Sequence, residues 1–240
     1  VGVSNPVGGD LVGNAVWTGV PLTELLDEAG IDDPTNPDRQ IFSTSVDGYT
    51  AGFRAPLAYD GRTAMVALLM NGEELPLDHG FPARLIVNGL YGYTSSTKWL
   101  ERIEVNDWRM NDGYWIVRGW AKEAPVKTQS RIDTPGPAGV LTEGPNTIAG
   151  VAWAPGRGID AVEVGIGRSP DKVEWFEAEV ATSESTETWV QWRYEWDAPV
   201  GQSIIHVRAT DGNGVTQSED PVPAAPDGAE GFHSTLSTVI

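Results

Sequence analysis

Apolar positions change period along the chain, and that change divides it in two. Over the first half, short apolar runs are interrupted by turn residues at uneven spacing. Leu22, Leu25, Leu26 and Ala29 fall at helical spacing. Pro21 suits the first turn of that helix and Gly30 its end, so residues 21–29 are expected to be a short amphipathic helix. Residues 41–46 and 49–53 alternate around Asp47-Gly48, a strong hairpin signal. Residues 64–70 read as a buried strand ending in a second such turn, Asn71-Gly72, and 84–87, 101–105 and 114–118 read as further strands. Polar, proline-bearing sequence from about 121 to 145 is expected to mark a boundary.

Beyond the boundary the period is two throughout. Strands are expected at 147–153, 161–166, 173–180, 188–196 and 203–210, regularly spaced with turn residues between, and the last ten or so residues are able to add one more. Trp189, Trp192, Tyr194 and Trp196 are read as one long strand with aromatic residues on both faces. The pattern predicts an immunoglobulin-like sandwich. The fold class is therefore α+β, with a mixed α/β part over 1–135 and an all-β sandwich over 136–240.

Composition narrows the functional classes. Hydrophobic residues make up 40% of the chain and there are ten tryptophans, which argues for packed cores. The formal net charge is −18, from 34 acidic and 16 basic residues. Such a surface repels nucleic acid phosphates and anionic lipid, and self-repulsion on this scale predicts a fold that requires salt. No stretch reaches the roughly 20 apolar residues of a membrane span and no basic-then-apolar signal opens the chain, so any export signal or anchor of a parent protein is expected upstream of Val1. Localisation is open on these grounds. An extracytoplasmic or anchored parent in a high-salt environment is the expectation. With no cysteine there are no disulfides.

The chemistry-bearing stretch is 78–99, DHGFPARLIVNGLYGYTSSTKW. His79 and Arg84 leave a bend containing Gly80 and Pro82, residues 85–87 form an apolar strand, and a hydroxyl run (Thr94, Ser95, Ser96, Thr97) leads into Lys98. Arg grips a phosphate with a planar fork, Lys adds a point charge, and glycine turns let backbone N–H groups approach the anion. A basic hairpin on an acidic protein is also commonly just solvated. If it is a site, His79, Arg84 and Lys98 must converge. His206 and His233 are read as structural. Glu73 and Glu74, adjacent on a strand, face opposite ways and do not form a catalytic pair. Metal-ligand spacings, phosphate loops and dinucleotide fingerprints are absent from the sequence.

The order HGFPxR, a GLYG turn and then TKW closely resembles the molybdopterin-binding segment of the sulfite oxidase family of molybdenum oxidoreductases. Residues 5–26, NPVGGDLVGNAVWTGVPLTELL, resemble the segment that follows the family's metal-binding cysteine. Gly48-Tyr49-Thr50 with Pro56-Leu57, the stretch 114–133, and Gly150-Val151-Ala152-Trp153 followed by Arg157-Gly158-Ile159 resemble later parts in the same order. The resemblance implies a molybdenum-molybdopterin cofactor held by His79, Arg84, Ser96, Thr97 and Lys98. It also implies Arg157 on the substrate side, oxygen-atom transfer to or from a small oxyanion such as sulfite, and a homodimer formed through the sandwich; Tyr49 is read either as a substrate-side hydroxyl or as a strand-end core tyrosine. Asn88 departs from a usual proline. More consequentially, the position of the family's metal-binding cysteine is Gly2, and the family's preceding half-domain is not in this sequence. A C-terminal part of a longer parent and a complete relative that has lost the metal both fit. A cofactor-free dimerisation or binding module is the competing reading, and a glycan-binding β protein resting on tryptophans alone is a third.

Overall fold

The computed structural model describes residues 1–170 and 172–240, which fall into two compact units. The first comprises Val1–Val3, Val12–Val126 and Ala225–Asp227. The second comprises Ser4–Leu11, Lys127–Ala224 and Gly228–Ile240.

In the first unit the chain runs through β1 (Trp17–Pro21), α1 (Leu22–Glu28), β2 (Arg39–Ser45), β3 (Thr50–Arg54), β4 (Ala64–Met70), β5 (Glu73–Glu74), β6 (Arg84–Val87), α2 (Gly92–Ser95) and β7 (Leu100–Asp107). Strand β2 lies between β3 and β7 in one antiparallel sheet, whereas β4 carries β1, β5 and β6 in another. The Asp47-Gly48 turn works as its residues dictate: Gly48 takes φ +84°, and the Asp47 carboxylate accepts the Tyr49 N–H at 2.9 Å. Leu22 and Leu26, one helical turn apart on α1, are buried with Ile41, Phe53, Leu85 and Val87 in a single core. Ile41 and Phe53 stand directly opposite across β2 and β3.

Among the described residues nine strands make the second unit: β8 (Gln129–Thr134), β9 (Val140–Leu141), β10 (Gly144–Trp153), β11 (Ile159–Ser169), β12 (Lys172–Glu177), β13 (Glu179–Val180), β14 (Val190–Ala198), β15 (Gly201–Asp211) and β16 (His233–Val239). They form two sheets, ordered β13-β14-β10-β8 and β12-β11-β15-β16-β9, with β9 parallel to β16. Ile148, Trp192 and Trp196 from one sheet and Val162, Val164, Ile205 and Val207 from the other fill the space between them.

Several expectations are corrected. The α+β class overstates the helix content: the two α-helices have seven and four residues, and the chain is predominantly β. Residues 114–118 form no strand. Tyr114 N–H reaches the Thr50 carbonyl of β3 at 2.9 Å, but the chain then turns away: Ile116–Arg118 is a 3-10 turn closed by Gly119 at φ +97°, and Val117 is exposed. The strand at 64–70 is buried only at Ala64 and Ala67, with Leu68 exposed. In β14 the aromatic residues Trp192, Tyr194 and Trp196 share one face, since they are two apart in a strand that begins at Val190. The expected boundary at 135 falls after a strand of the sandwich: β8 pairs with β10, and Ser4–Leu11 also belongs to the second unit, Arg131 Nη1 donating to the Gly9 carbonyl at 3.0 Å. Polar composition disguised β8, whose Ser130 is fully buried with its hydroxyl bonded to Gln217 Oε1 at 2.8 Å.

Candidate cofactor site

The short turn Leu77–His79 ends in Gly80 at φ +112°, and β6 follows. After α2 the chain returns alongside β6: the Leu85 N–H donates to the Thr97 carbonyl at 2.9 Å, Leu100 N–H to Ala83 at 2.9 Å, and Trp99 N–H to Gly80 at 3.3 Å. This return brings Lys98 against the turn. A Cβ on Gly80 would lie 3.0 Å from Lys98 Cα and 3.3 Å from Arg84 Cβ, so the position admits glycine and little else.

The side chains of Arg84 and Lys98 therefore meet at one turn, in which His79 takes part through its backbone carbonyl. Arg84 Nη1 donates to the His79 carbonyl at 3.3 Å and Lys98 Nζ to the Asp78 carbonyl at 2.7 Å, two cations on successive residues of one turn. The Arg84 guanidinium lies 5.0 Å over Trp17, and burial pulls its pKa below the usual arginine value, though an arginine stays charged. Its Nε is buried without a hydrogen-bond partner. The His79 imidazole is exposed.

The hydroxyl run divides by where each side chain points. Thr94 and Ser95 turn back onto the Tyr91 carbonyl, and Ser95 also reaches Leu90. Thr97 is fully buried and shares a 2.7 Å hydrogen bond with Ser43, so its hydroxyl is committed to the core and only its backbone serves the site. Ser96 alone of the four lines a cleft of about 230 Å³, together with Ser45, Asp47, Tyr49, Lys98, Trp99 and Trp115. Tyr49 donates to the Tyr93 carbonyl at 2.6 Å. Burial, then the field of Asp47, pushes its pKa to about 12, so it holds its proton at neutral pH. Tyr49, Tyr114 and Trp115 form a chain of rings with centroids 5.7 and 5.2 Å apart. The sequence reading missed Trp99 and Trp115. Trp99 sits at φ +48°, unusual for a bulky residue, but nothing local in the sequence announces that.

Arg157 belongs to the second unit, where its Nε pairs with Asp211 at 2.8 Å and Nη2 donates to Thr128 at 3.1 Å. Burial alone would raise the Asp211 pKa. Arg157, Thr128 and the Val215 and Asn213 amides outweigh that and hold it below the carboxylate range. The Asn88 departure also has a structural reason: its N–H donates to the Thr63 carbonyl at 2.8 Å, a bond proline cannot make. Among the described residues no three His, Cys, Asp or Glu side chains gather as a metal site, and no helix is long and apolar enough to cross a membrane.

The turn, its converging cations and the strands that carry them lie within the span that matches the family model described as oxidoreductase molybdopterin binding domain, residues 2–115. Mitochondrial sulfite oxidase of Drosophila melanogaster is 33% identical over 203 residues, which cover 74% of this chain and 35% of that protein. Sulfite oxidase of Gallus gallus is 28% identical over 241 residues, 88% of this chain and 52% of that protein. In fold, the crystal structure of the sulfane dehydrogenase SoxCD from Paracoccus pantotrophus matches 95% of this chain and 63% of its own, with a TM-score of 0.74 at 22% identity. The first half of the chain is thus of the molybdopterin-binding class. The chain belongs to the sulfite oxidase family of molybdopterin oxidoreductases, and it spans about a third to a half of the curated relatives given above.

Proposed function

We propose that this chain works within a sulfite oxidase-like molybdenum oxidoreductase, its first unit holding the phosphate end of molybdopterin. The observation that carries the reading is Arg84: a half-buried guanidinium with an unpartnered Nε, facing the same turn as Lys98 and His79 in a protein of net charge −18. Desolvating a cation costs free energy unless an anion compensates, and a phosphate dianion suits this pair. Bound molybdopterin would supply oxygen-atom transfer, chemistry that belongs to the cofactor. Arg84 and Lys98 would neutralise its phosphate, His79 and Ser96 would add polar contacts, and the Thr97–Lys98 backbone would set the spacing.

On the substrate side, Tyr49 keeps its proton but commits it to the Tyr93 carbonyl, so in this reading it is not a base and offers a small oxyanion such as sulfite only the edge of a fixed ring. Arg157, with its fork committed to Asp211 and Thr128, is a structural residue of the sandwich in this reading. The residues present fit a phosphate. They do not offer the soft thiolate that would hold the metal. The sandwich is proposed to pair two copies, as a two-fold dimer is the commonest assembly.

The test is phosphate binding by calorimetry. Inorganic phosphate should bind the chain measurably, and Arg84→Ala should weaken it by about 10- to 100-fold, the value of one charge-assisted contact of roughly 1.5–3 kcal/mol. A folded Arg84→Ala protein with unchanged phosphate affinity would remove the reading.

A further inference from the structure

The first three residues lie in the same unit as the cationic turn. The Val1 carbonyl accepts the Gly92 N–H at 3.1 Å, and Val3 is buried. A Cβ on Gly92 would stand 3.7 Å from that carbonyl and 3.6 Å from Ser96 Cβ. The segment around Gly2 is thus docked against the start of α2 and next to Ser96, which lines the cleft with Lys98. A ligand whose phosphate is gripped by Arg84 and Lys98 has this segment as its neighbour. The side chain that the segment offers at position 2 is a hydrogen atom.

No residue of this sequence supplies a thiolate. The chain has no cysteine and three methionines. Met65 and Met70 are on β4, and Met110 is 70% exposed on a turn. Molybdenum held by a protein thiolate needs a soft anionic sulfur, and the hydroxyls, carboxylate and ammonium that line the cleft are hard or cationic.

We propose that this chain keeps the phosphate anchor of molybdopterin but offers no side-chain anchor for its metal, so that these residues hold the pterin and contribute no thiolate to molybdenum. The proposal rests on the phosphate-anchor reading above. The two anchors are physically separable. One is a set of charge-assisted hydrogen bonds from fixed cations; the other is a covalent metal–sulfur bond, and loss of the second leaves the first intact. Gly2 is not among the glycines with positive φ, so its backbone conformation does not itself demand glycine.

The experiment compares the wild-type full-length protein with Gly2→Cys, both purified from a host that makes the molybdenum cofactor. Molybdenum is measured by elemental analysis, pterin by the fluorescence of its oxidised form, and the metal's sulfur shell by X-ray absorption. The wild type should carry pterin whose molybdenum has no sulfur beyond those of the pterin itself. Gly2→Cys should add one sulfur scatterer to the metal's shell. A protein-derived sulfur in the wild-type shell would overturn the proposal, as would a folded, metal-loaded Gly2→Cys protein with no added sulfur. Should Gly2→Cys not fold, the sulfur count of the wild type decides alone. Absence of pterin from both proteins, with no binding of inorganic phosphate, overturns the phosphate-anchor reading and this proposal with it.

Discussion

Gly80 shows how much one residue carries at this site. It sits between Arg84 and Lys98 with φ +112°, so an added methyl group meets Lys98 backbone at 3.0 Å while the main chain is held in a region that favours glycine. Gly80→Ala should therefore cost about 1–3 kcal/mol by chemical denaturation and weaken phosphate binding as well, because Lys98 must shift. A variant as stable as the wild type with full phosphate affinity would show that the close approach has no role. That Arg84 and Lys98 return to the turn around His79 was legible in their order along the chain. That Thr97 turns its hydroxyl onto Ser43 while Ser96 lines the cleft was not, because the facing of each residue after α2 is set by the return of the chain along β6.

At the scale of the element, the strands were legible wherever a two-residue period met turn residues, as in β2–β3 and β10–β15. Strand β8 escaped because its polar side chains are buried against polar partners 87 and 100 residues away, Gln217 and Ala229. Its pairing is tied to a histidine. The His233 Nδ1 accepts the Ile132 N–H at 2.9 Å, and the ring is packed against Gly8 of the segment Ser4–Leu11. Burial first, and then Arg131, lowers the His233 pKa below 6.5 against the opposing pull of Asp133. Burial likewise lowers that of His206, against the pull of Glu219. A depressed histidine pKa means the unfolded chain binds more protons. Stability is thus full above the unfolded value and is lost as pH falls below it toward the folded pKa. Unfolding midpoints should fall between about pH 7 and pH 5, and His233→Gln should flatten that slope, because an uncharged acceptor can keep the Ile132 bond without titrating. An identical pH slope in the variant would assign the acid sensitivity elsewhere.

For the whole molecule the governing quantity is charge: 34 acidic residues against 16 basic ones. Many of the cations are already paired, among them Arg54 with Glu123, Arg193 with Glu179 and Arg208 with Glu163, and the excess carboxylates repel one another. Screening shortens from about 10 Å at 0.1 M salt to about 3 Å at 1 M, so the thermal midpoint should rise across that range. A flat or falling midpoint would argue against a high-salt environment for this protein. Phosphate binding should weaken over the same range, though less than for an exposed cation pair, because Arg84 is partly buried.

Local pattern was sufficient for the helix at Leu22–Glu28, the Asp47-Gly48 and Asn71-Gly72 turns, most strands of the sandwich, and the stretch that carries the site, because hydrophobic period and turn chemistry act over a few residues. The order of motifs was also enough to place the chain in its family. Only the tertiary structure decided that residues 114–118 are a turn, that Arg157 is committed to Asp211, that Thr97 is core, and that Trp99 and Trp115 line the cleft. Each of these depends on which partner lies across space, and the chain's own period carries no information about a partner 50 or 80 residues away.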